Sequence, residues 1–388
     1  AHNNSDGEFG PDSDQDIIKC GSFTGGGDVA VDVGFEPQWV LTKATGLSQK
    51  WTIHDTMRGY TADATGQATL HPNLSDAEDA GVDAALTSTG FRTINSSSGQ
   101  TYIYMAIRRG SLAPPEAGTE VFMPVLATST DAYSVGFETD FALFNKLAGL
   151  SFNTIATTRL QGGGKRLSTA TTAAEVTSNV VEFDLQDSFK QNILGSSPLV
   201  RYHWKRAPSY FDCVIYDGSS SAGTLDVKHN LAAKPELIIA KKRSKVSAWG
   251  VITSITASNF LVTGTMNTAP LSTQTYSSTS YLPSEPTDTS LIVNTDTGIG
   301  SSGNFIAYLF ASLAGVSKVG SYTGNGSSQT IDAGFTTGAR FILIKRTGDS
   351  GVVTGNDWYV WDTARGVVTG NSQHLSLNTT AAQVSDDS

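Results

Sequence analysis

The chain carries an internal repeat. Residues 21–43 read GSFTGGGDVAVDVGFEPQWVLTK, and residues 320–346 read GSYTGNGSSQTIDAGFTTGARFILIKR. Both hold a glycine-rich turn, a Gly-Phe step and an apolar strand that ends in lysine. Weaker copies lie at 133–146 and 216–243, so these anchors recur near residues 34, 136, 230 and 334. A period close to one hundred residues predicts four copies of one domain.

Three further elements recur with the same period. HDTMRG (54–59) matches WDTARG (361–366), and RLQGGGKRLSTATTAAEV (159–176) resembles RGVVTGNSQHLSLNTTAAQV (365–384). An alternating strand after a Ser/Gly turn closes the first three copies, at 97–110, 195–207 and 301–312. The fourth copy reaches Ser388 before such a closing strand. We therefore expect either a fragment or a last sheet that a neighbouring subunit completes.

The strand pattern predicts the fold class. Gly (39 residues), Ser, Thr and Asn separate short apolar runs, while the best helical candidate, LSDAEDAGVDAAL (74–86), is short and interrupted by Gly81. TYIYMAI (101–107) is apolar on both of its alternating faces, which predicts a central strand covered on both sides. YTGNGSSQT (322–330) is typical of a hairpin connection. The chain is predicted to be all-β, with tandem antiparallel β-sandwich or jelly-roll domains.

The repeats give the domain boundaries. Short linkers at 112–118, 207–209 and 312–317 favour stacked domains over freely tumbling ones. The predicted units are a polar acidic arm at 1–18, sandwich repeats at 19–112, 116–208 and 209–314, and an incomplete repeat at 316–388.

Charge and hydropathy exclude some partners. The formal net charge is -10, which argues against a nucleic-acid surface because such a surface needs clustered Lys and Arg. No apolar run has the roughly 18 residues that a membrane span needs. We expect neither nucleic-acid binding nor membrane insertion.

The most suggestive chemical motif is Asp-Thr-x-Arg-Gly, at 55–59 and again at 362–366. An Asp and an Arg three residues apart can hold a sugar hydroxyl or position a nucleophile. They equally form a turn in which the Asp caps backbone N–H groups, and we favour the turn because the second repeat has ATTRL (156–160) and keeps only Arg159. GGGKR (162–166) lacks the spacing of a phosphate loop and predicts a glycine hairpin.

The remaining polar residues do not form a metal or cofactor motif. Asp12, Asp14 and Asp16 begin like a calcium loop, but Ile17 and Phe23 occupy ligand positions, so a solvated acidic arm is the preferred interpretation. The six histidines have no metal-ligand spacing, and they are His2, His54, His71, His203, His229 and His374. We therefore predict no catalytic residue, no cofactor and no metal.

The cysteines, a basic cluster and the tryptophans are predicted to have structural roles. Cys20 and Cys213 occupy equivalent repeat positions and are both predicted to be buried and unpaired. The basic group Lys241, Lys242, Arg243 and Lys245 is predicted to be a solvated strand edge. At least half of the tryptophans are expected in the core, although exposed rings could serve as a sugar platform; the set is Trp39, Trp51, Trp204, Trp249, Trp358 and Trp361.

The repeat signatures resemble a known family. YTGNGSSQTIDAGF, ARFILIKR, DWYVWDTARG and GQTYIYMAIRRG are similar to repeated virion proteins of tailed bacteriophages, common among marine and cyanobacterial phages. APPEAGTEVF, KRAPSYFD and YLFASLAGVSKVGSYTGNG resemble the same proteins across the repeat junctions. The resemblance covers nearly the whole chain after about Ile17. It implies concanavalin A-like sandwiches, as in SPRY domains, and it brings no catalytic residues.

The resemblance also sets the functional expectation. We expect a non-enzymatic structural protein on the outer surface of a phage virion, of the tail-fibre or spike type, that takes part in host adsorption. Its partners would be other virion proteins, further copies of itself (by analogy with fibres, a trimer) and a host surface glycan. A capsid decoration protein is the alternative. A glycan depolymerase is a third possibility, and it requires two carboxylates about 5–10 Å apart in a groove.

Overall fold

The computed structural model describes residues 16–63, 67–81, 84–110, 112–128, 132–147, 154–178, 181–183, 185–191, 198–254, 260–348, 356–367 and 372–384. Within these ranges the helices are three short 3-10 turns, Thr56–Arg58, Gly118–Glu120 and Arg159–Gln161. In the same part of the chain no helix is long and apolar enough to cross a membrane. The prediction of an all-β protein is confirmed.

Strands form at the alternating apolar segments of all four repeats. Repeat 1 contains β1 (Ile18–Thr24), β2 (Gly27–Asp32), β3 (Pro37–Ala44), β4 (Thr52–Asp55), β5 (Gln67–Thr69), β6 (Asp79–Gly81), β7 (Ala84–Thr87), β8 (Gly90–Ser96) and β9 (Thr101–Arg108). Repeat 2 contains β10 (Phe122–Ala127), β11 (Tyr133–Ser134), β12 (Phe141–Lys146), β13 (Ile155–Thr158), β14 (Lys165–Ser168), β15 (Val176–Thr177), β16 (Val181–Glu182), β17 (Ser188–Gln191) and β18 (Leu199–Trp204). The best helical candidate of the sequence, 74–86, holds β6 and part of β7 instead.

The second half of the chain continues in the same way. Repeat 3 contains β19 (Phe211–Gly218), β20 (Thr224–Lys228), β21 (Leu237–Lys242), β22 (Trp249–Thr253), β23 (Phe260–Thr265), β24 (Ser272–Thr275), β25 (Ser290–Asn294) and β26 (Gly303–Phe310). Repeat 4 contains β27 (Phe341–Ile344), β28 (Tyr359–Asp362) and β29 (Leu375–Ser376).

Repeats 1, 2 and 3 share one antiparallel topology. Their large sheets have the orders β1-β9-β3-β4, β10-β18-β12-β13-β14-β15 and β19-β26-β21-β22-β23-β24. Their small sheets have the orders β2-β8-β7, β11-β17-β16 and β20-β25. In each case the closing strand lies between the first and third strands of its repeat, although it comes last in sequence. The tandem β-sandwich is therefore present in the structure, while the exact domain boundaries stay a prediction.

Each sandwich buries a core between its two sheets. In repeat 1, Phe91 of the small sheet packs on Phe23 and Tyr104 of the large sheet, with ring centroids 6.1 and 5.4 Å away. The cores of repeats 2 and 3 are separate apolar clusters of the same kind. Strand alternation explains this arrangement, because every second side chain points to the facing sheet.

A second core joins the repeats to one another. The large sheets of repeats 2, 3 and 4 turn their other faces toward a common centre, where Phe141 lies 4.5 Å from Tyr308 and Trp204 lies 5.4 Å from Phe341, between ring centroids. Repeats 3 and 4 are joined by a backbone hydrogen bond of 3.1 Å from Leu271 to Arg346. The large sheets of repeats 2 and 3 are therefore covered on both faces, by their small sheets and by this shared core.

Repeat 1 differs in this respect. Strand β9 is central in its sheet, as predicted, but only its inward face, with Tyr102 and Ala106, is buried. Ile103 on the opposite face is 40% exposed. The predicted coverage on both sides is wrong for this strand, because no described residue of another repeat packs on its outer face.

Repeat 4 also departs from the pattern. Strand β27 pairs only with β28, and residues 319–340 form no strand, so the predicted hairpin at 322–330 is wrong. In the other repeats the first strand pairs only with the closing strand. The described part of repeat 4 contains no closing strand, so its first segment has no edge on which to pair.

The Gly-Phe step is a positive-φ turn that inserts an aromatic ring into the core. Gly34 and Gly136 have φ of 84° and 82°, a region that side chains other than glycine rarely adopt. Phe35 and Phe137, which follow them, are 1% and 5% exposed. The motif therefore serves packing.

Candidate functional site

A cluster of buried charged side chains lies where repeats 1, 2 and 3 meet. Arg206 follows β18 and donates to both carboxylate oxygens of Glu36 of repeat 1, at 2.7 and 2.6 Å. Its Nε donates to Oδ1 of Asp212 in repeat 3, at 2.6 Å, and its backbone N–H donates to Asp140 Oδ2 at 2.7 Å. One arginine thus ties three repeats together.

Electrostatics keeps this cluster ionised despite its burial. Burial alone lowers the pKa of Arg206, but Asp212 and Glu36 outweigh it and raise that pKa above its usual value. Burial likewise raises the pKa of Asp212, and Arg206 reverses the effect, so the carboxyl pKa lies below its usual value. A buried pair of this kind is strongly coupled, since removing one partner leaves the other charge uncompensated.

A second arginine extends the cluster within repeat 2. Arg159 Nε lies 3.2 Å from Glu138 and 3.8 Å from Asp140, and its Nη2 donates to the carbonyl of Thr139 at 3.0 Å. Burial, followed by repulsion from Asp140, raises the pKa of Glu138. Glu138 is the most accessible acid of this group, with one third of its side chain exposed.

A second junction repeats the arrangement with different residues. Arg243 at the end of β21 donates to Glu175 of repeat 2, at 2.6 and 2.8 Å, and to Asp63 of repeat 1, one contact being 2.8 Å. Its side chain is 3% exposed. Here the guanidinium belongs to repeat 3, and it joins that repeat to repeats 1 and 2.

These contacts correct the prediction of a solvated basic edge at 241–245. Lys241 is fully buried, and its Nζ donates to the carbonyls of Thr172, Lys242 and Ser247 at 3.2, 2.9 and 2.9 Å. Burial and neighbouring Lys242 lower its pKa to about 8. Within the group only Lys245 is exposed, and Lys242 is partly buried.

The strand-end lysine has the same role in other repeats. Lys43 donates to the carbonyls of Leu47 and Gln49, at 3.1 and 2.6 Å, and Lys345 donates to Asn267 at 2.8 Å. Lys43 holds the loop beyond its own strand, whereas Lys345 donates both to the carbonyl of Asn356 beyond its strand and to Asn267 of repeat 3. The recurring base is therefore a structural anchor.

The Asp-Thr-x-Arg-Gly motif forms the predicted capped turn. Asp55 Oδ1 accepts from the backbone N–H of Arg58 at 3.0 Å, and Asp362 Oδ1 accepts from that of Arg365 at 3.0 Å. In repeat 2, Thr158 takes the place of the aspartate and caps Gln161. Arg159 is therefore not the equivalent of Arg58, although the sequence pattern pointed to it.

The copy in repeat 4 makes a further inter-repeat contact. Asp362 Oδ2 accepts from the hydroxyl of Tyr202 in repeat 2 at 2.8 Å and from Arg365 Nε at 2.5 Å. Side chains of Asp362 and Arg365 are 0% and 1% exposed. No solvent-facing sugar site exists at this turn.

Cysteine burial differs between the two repeats. Both thiols are free, as predicted, and Cys213 is buried, but Cys20 is exposed. Cys20 pairs in register with Met105 and Cys213 with Tyr308, so the two positions are equivalent. Only the coverage of the sheet face differs.

Other residues that the sequence singled out have structural places. His54 is buried and packs against Tyr60, with ring centroids 5.3 Å apart. His203 is fully buried, and burial lowers its pKa to about 3. Residues 162–164 form the turn that leads into β14, which pairs with β13, as the hairpin interpretation predicts. Buried tryptophans are Trp204, Trp249 and Trp358, half of the six.

The predictions for the acidic arm fall largely on residues that the structure does not describe. Asp12 and Asp14 lie outside the described residues, as does His2. Across the ranges that the structure covers, no three His, Cys, Asp or Glu side chains come close enough to hold a metal ion.

Two cavities bear on catalysis. The space among Glu36, Arg109, Asp140, Arg159 and Arg206 is about 10 Å³, room for at most one water. A larger cavity of about 650 Å³ lies where the large sheets of repeats 2, 3 and 4 converge. Of the residues that line it, Glu116 is the single acidic one. Neither cavity presents two carboxylates to a sugar-sized space, which is what glycoside hydrolysis requires.

Sequence reasoning missed the junction residues. Arg206 and Glu36 belong to no short motif, since 170 positions separate them. Asp212 lies only six positions after Arg206, but that spacing alone does not identify an ion pair. A signal was nevertheless present: the closing strands of repeats 1 and 2 both end in two bases, Arg108-Arg109 and Lys205-Arg206. Arg109 also lies near Glu36, at 3.5 Å.

The fold and its junctions define a tandem β-sandwich protein whose repeats are fused through buried charges and a shared core. The chain belongs to the family described as Domain of unknown function (DUF7483), whose model matches residues 14–109 and 121–388. The first match ends one residue after β9, and the second begins one residue before β10. Comparisons with curated proteins and with solved structures gave no match.

Proposed function

We propose that this chain is a non-enzymatic structural protein of a phage virion, of the tail-fibre or spike type, that takes part in host adsorption. The observation that carries the proposal is the junction at Arg206, where one buried guanidinium joins three repeats. A scaffold of this kind holds surface loops in fixed relative positions, which suits an adhesive appendage. The likeness of the repeat signatures to phage virion proteins supplies the biological setting.

The proposal is tested on virions of the phage that encodes the chain. Antibodies raised against the purified protein, visualised by gold labelling in electron micrographs, should decorate the tail appendages of intact particles. Labelling of the head would favour the capsid decoration alternative. Absence of the protein from purified virions would overturn the virion assignment as a whole.

The non-enzymatic assignment needs a separate measurement. Glu138 is the best available acid, since its pKa is raised and its side chain is one third exposed. We expect no release of reducing sugar from host polysaccharide by the wild-type protein. Turnover that Glu138→Gln abolishes, and that the exposed control Glu285→Gln leaves unchanged, would establish a depolymerase instead. Binding of the polysaccharide without turnover would support adhesion.

A further inference from the structure

One face of repeat 1 is apolar and open. Strand pairing places eight apolar side chains on the outer face of its large sheet, and we call this set the outer face of repeat 1: Ile18, Cys20, Trp39, Leu41, Ile53, Ile103, Met105 and Ile107. None of the eight is buried, and Ile18 and Ile103 are 42% and 40% exposed. Four strands about 4.8 Å apart and roughly six residues long give the whole face, with its polar positions Ser22 and Thr24, an area on the order of 400 Å². The largest apolar patch of a monomeric protein is commonly of this size and is often functional.

The equivalent face of repeat 3 is closed. The strand registers identify the equivalent residues, because Cys213 pairs with Tyr308 of the closing strand as Cys20 pairs with Met105. The equivalent residues are Phe211, Cys213, Leu237, Ile239, Val251, Phe310, Tyr308 and Ile306. Six of these are at most 8% exposed, and the other two, Leu237 and Phe310, pack against the same core. The same apolar surface is therefore covered in repeat 3 and open in repeat 1.

The structure also shows what covers such a face in this protein. In repeats 2, 3 and 4 it meets the same face of neighbouring repeats, three sheets around one centre, as the contacts of Phe141 with Tyr308 and of Trp204 with Phe341 show. The natural partner of the outer face of repeat 1 is therefore the same face of another repeat 1. Within the described part of one chain no second face of this kind is open, so the same packing is available only from another copy of the chain.

The charges near this face permit its burial. Lys43 at one end already donates to the carbonyls of Leu47 and Gln49, and Asp55 at the other end accepts from Arg58. If another surface covered this face, Lys43 and Asp55 would keep these hydrogen-bond partners. The desolvation cost of burying the two charged groups is therefore small. The geometry points to a homotrimer in which three copies of repeat 1 meet through their outer faces, as repeats 2, 3 and 4 meet within one chain.

The first experiment measures mass in solution. Size-exclusion chromatography with light scattering on the purified chain should give three times the mass of one chain. Ile103→Lys places a charge at the middle of the contact and should yield a monomer with unchanged circular dichroism. The matched control Ile331→Lys alters an exposed isoleucine, 51% accessible, outside this face and should remain trimeric. A monomeric or dimeric wild type, or a trimer that survives Ile103→Lys, would overturn the inference.

The second experiment uses the two thiols as reporters. In the trimer, Cys20 should be protected from a maleimide, and in the Ile103→Lys monomer it should react at least tenfold faster. Cys213 is the internal control, because its burial within one chain should keep it unreactive in both. Protection of Cys20 in a monomer would mean that another part of the same chain covers the face, and would overturn the inference. Both experiments use purified protein, so their outcome is independent of where the chain lies in the virion.

Discussion

Arg206 and Glu36 are joined by two parallel hydrogen bonds of 2.7 and 2.6 Å although 170 residues separate them in the sequence. Their side chains are 2% and 5% exposed. Because the same guanidinium also binds Asp212, the positions of repeats 1, 2 and 3 are fixed at one point.

Replacing Arg206 should destabilise the protein strongly. Arg206→Met leaves the carboxylates of Glu36 and Asp212 buried without their partner, which costs about 3–5 kcal/mol. The free energy of unfolding from urea titration measures this loss. The control Arg92→Met removes a surface pair with Asp28 and should cost at most about 1 kcal/mol. Equal losses for the two variants would contradict the role assigned to the junction.

Stability should fall as the solution is acidified, beginning well above the titration range of carboxylates. Burial holds the pKa of His203 at about 3, against 6.5 in the unfolded chain. Between these values the unfolded state binds a proton that the folded state refuses. The contribution is therefore complete above pH 6.5 and is lost as the pH falls toward 3, at about 1.4 kcal/mol per pH unit.

His203→Gln isolates that contribution. Unfolding free energies measured between about pH 7.5 and 5 lie above the range of ordinary carboxylates, so the buried histidines and Glu138, whose pKa burial raises, set the slope. The variant should show a smaller slope, with a remainder from His229, whose pKa burial also lowers. An unchanged slope would mean that His203 is not the group that titrates.

The two equivalent motif aspartates should differ in importance. Asp362→Ala leaves Arg365 and the hydroxyl of Tyr202 without their buried carboxylate partner. It should lower the free energy of unfolding by about 3–5 kcal/mol. Asp55→Ala removes the cap of a partly exposed turn and should cost about 1 kcal/mol. Thermal or urea unfolding of both variants gives the comparison.

Asp362→Asn serves as the control for the cap. It keeps an oxygen for the backbone N–H of Arg365 but loses the charge, so its free energy of unfolding should lie between those of the wild type and Asp362→Ala.

Loss of glycan binding in Asp55→Ala without loss of stability would instead favour a sugar-binding role for the motif.

The Gly-Phe turns should tolerate no side chain without strain. Gly34→Ala and Gly136→Ala force a left-handed backbone on alanine and should each cost about 1–2 kcal/mol. A Cβ at either position would meet no atom within 4 Å, so the loss would report backbone strain alone. Gly110→Ala is the matched control, with equally open surroundings and no positive φ. It should leave the unfolding free energy nearly unchanged.

Much of the local structure could be predicted from the sequence. The alternating segments form strands, and Asp55 and Asp362 cap their turns as expected. The Gly-Phe steps were visible as a recurring motif, and the structure shows that Gly34 and Gly136 form positive-φ turns. Each of these features depends on residues within a few positions of one another. Local spacing therefore carries the information.

The junctions could not be predicted in this way. Arg206 binds Glu36 and Arg243 binds Asp63 in repeat 1, at separations of 170 and 180 positions, and no local pattern relates residues so far apart. The same reason explains the error at Lys241, whose burial depends on a loop of repeat 2 that supplies the carbonyl of Thr172.

By itself the amino-acid order determined that one sandwich recurs in series, because period-two alternation and turn glycines act within each copy. Only the tertiary structure decided which sheet faces are covered. Cys20 and Cys213 occupy the same position of the same module, yet one is exposed and the other buried. The physical reason is that burial of a sheet face depends on a second surface packing against it, and that surface belongs to a distant part of the chain.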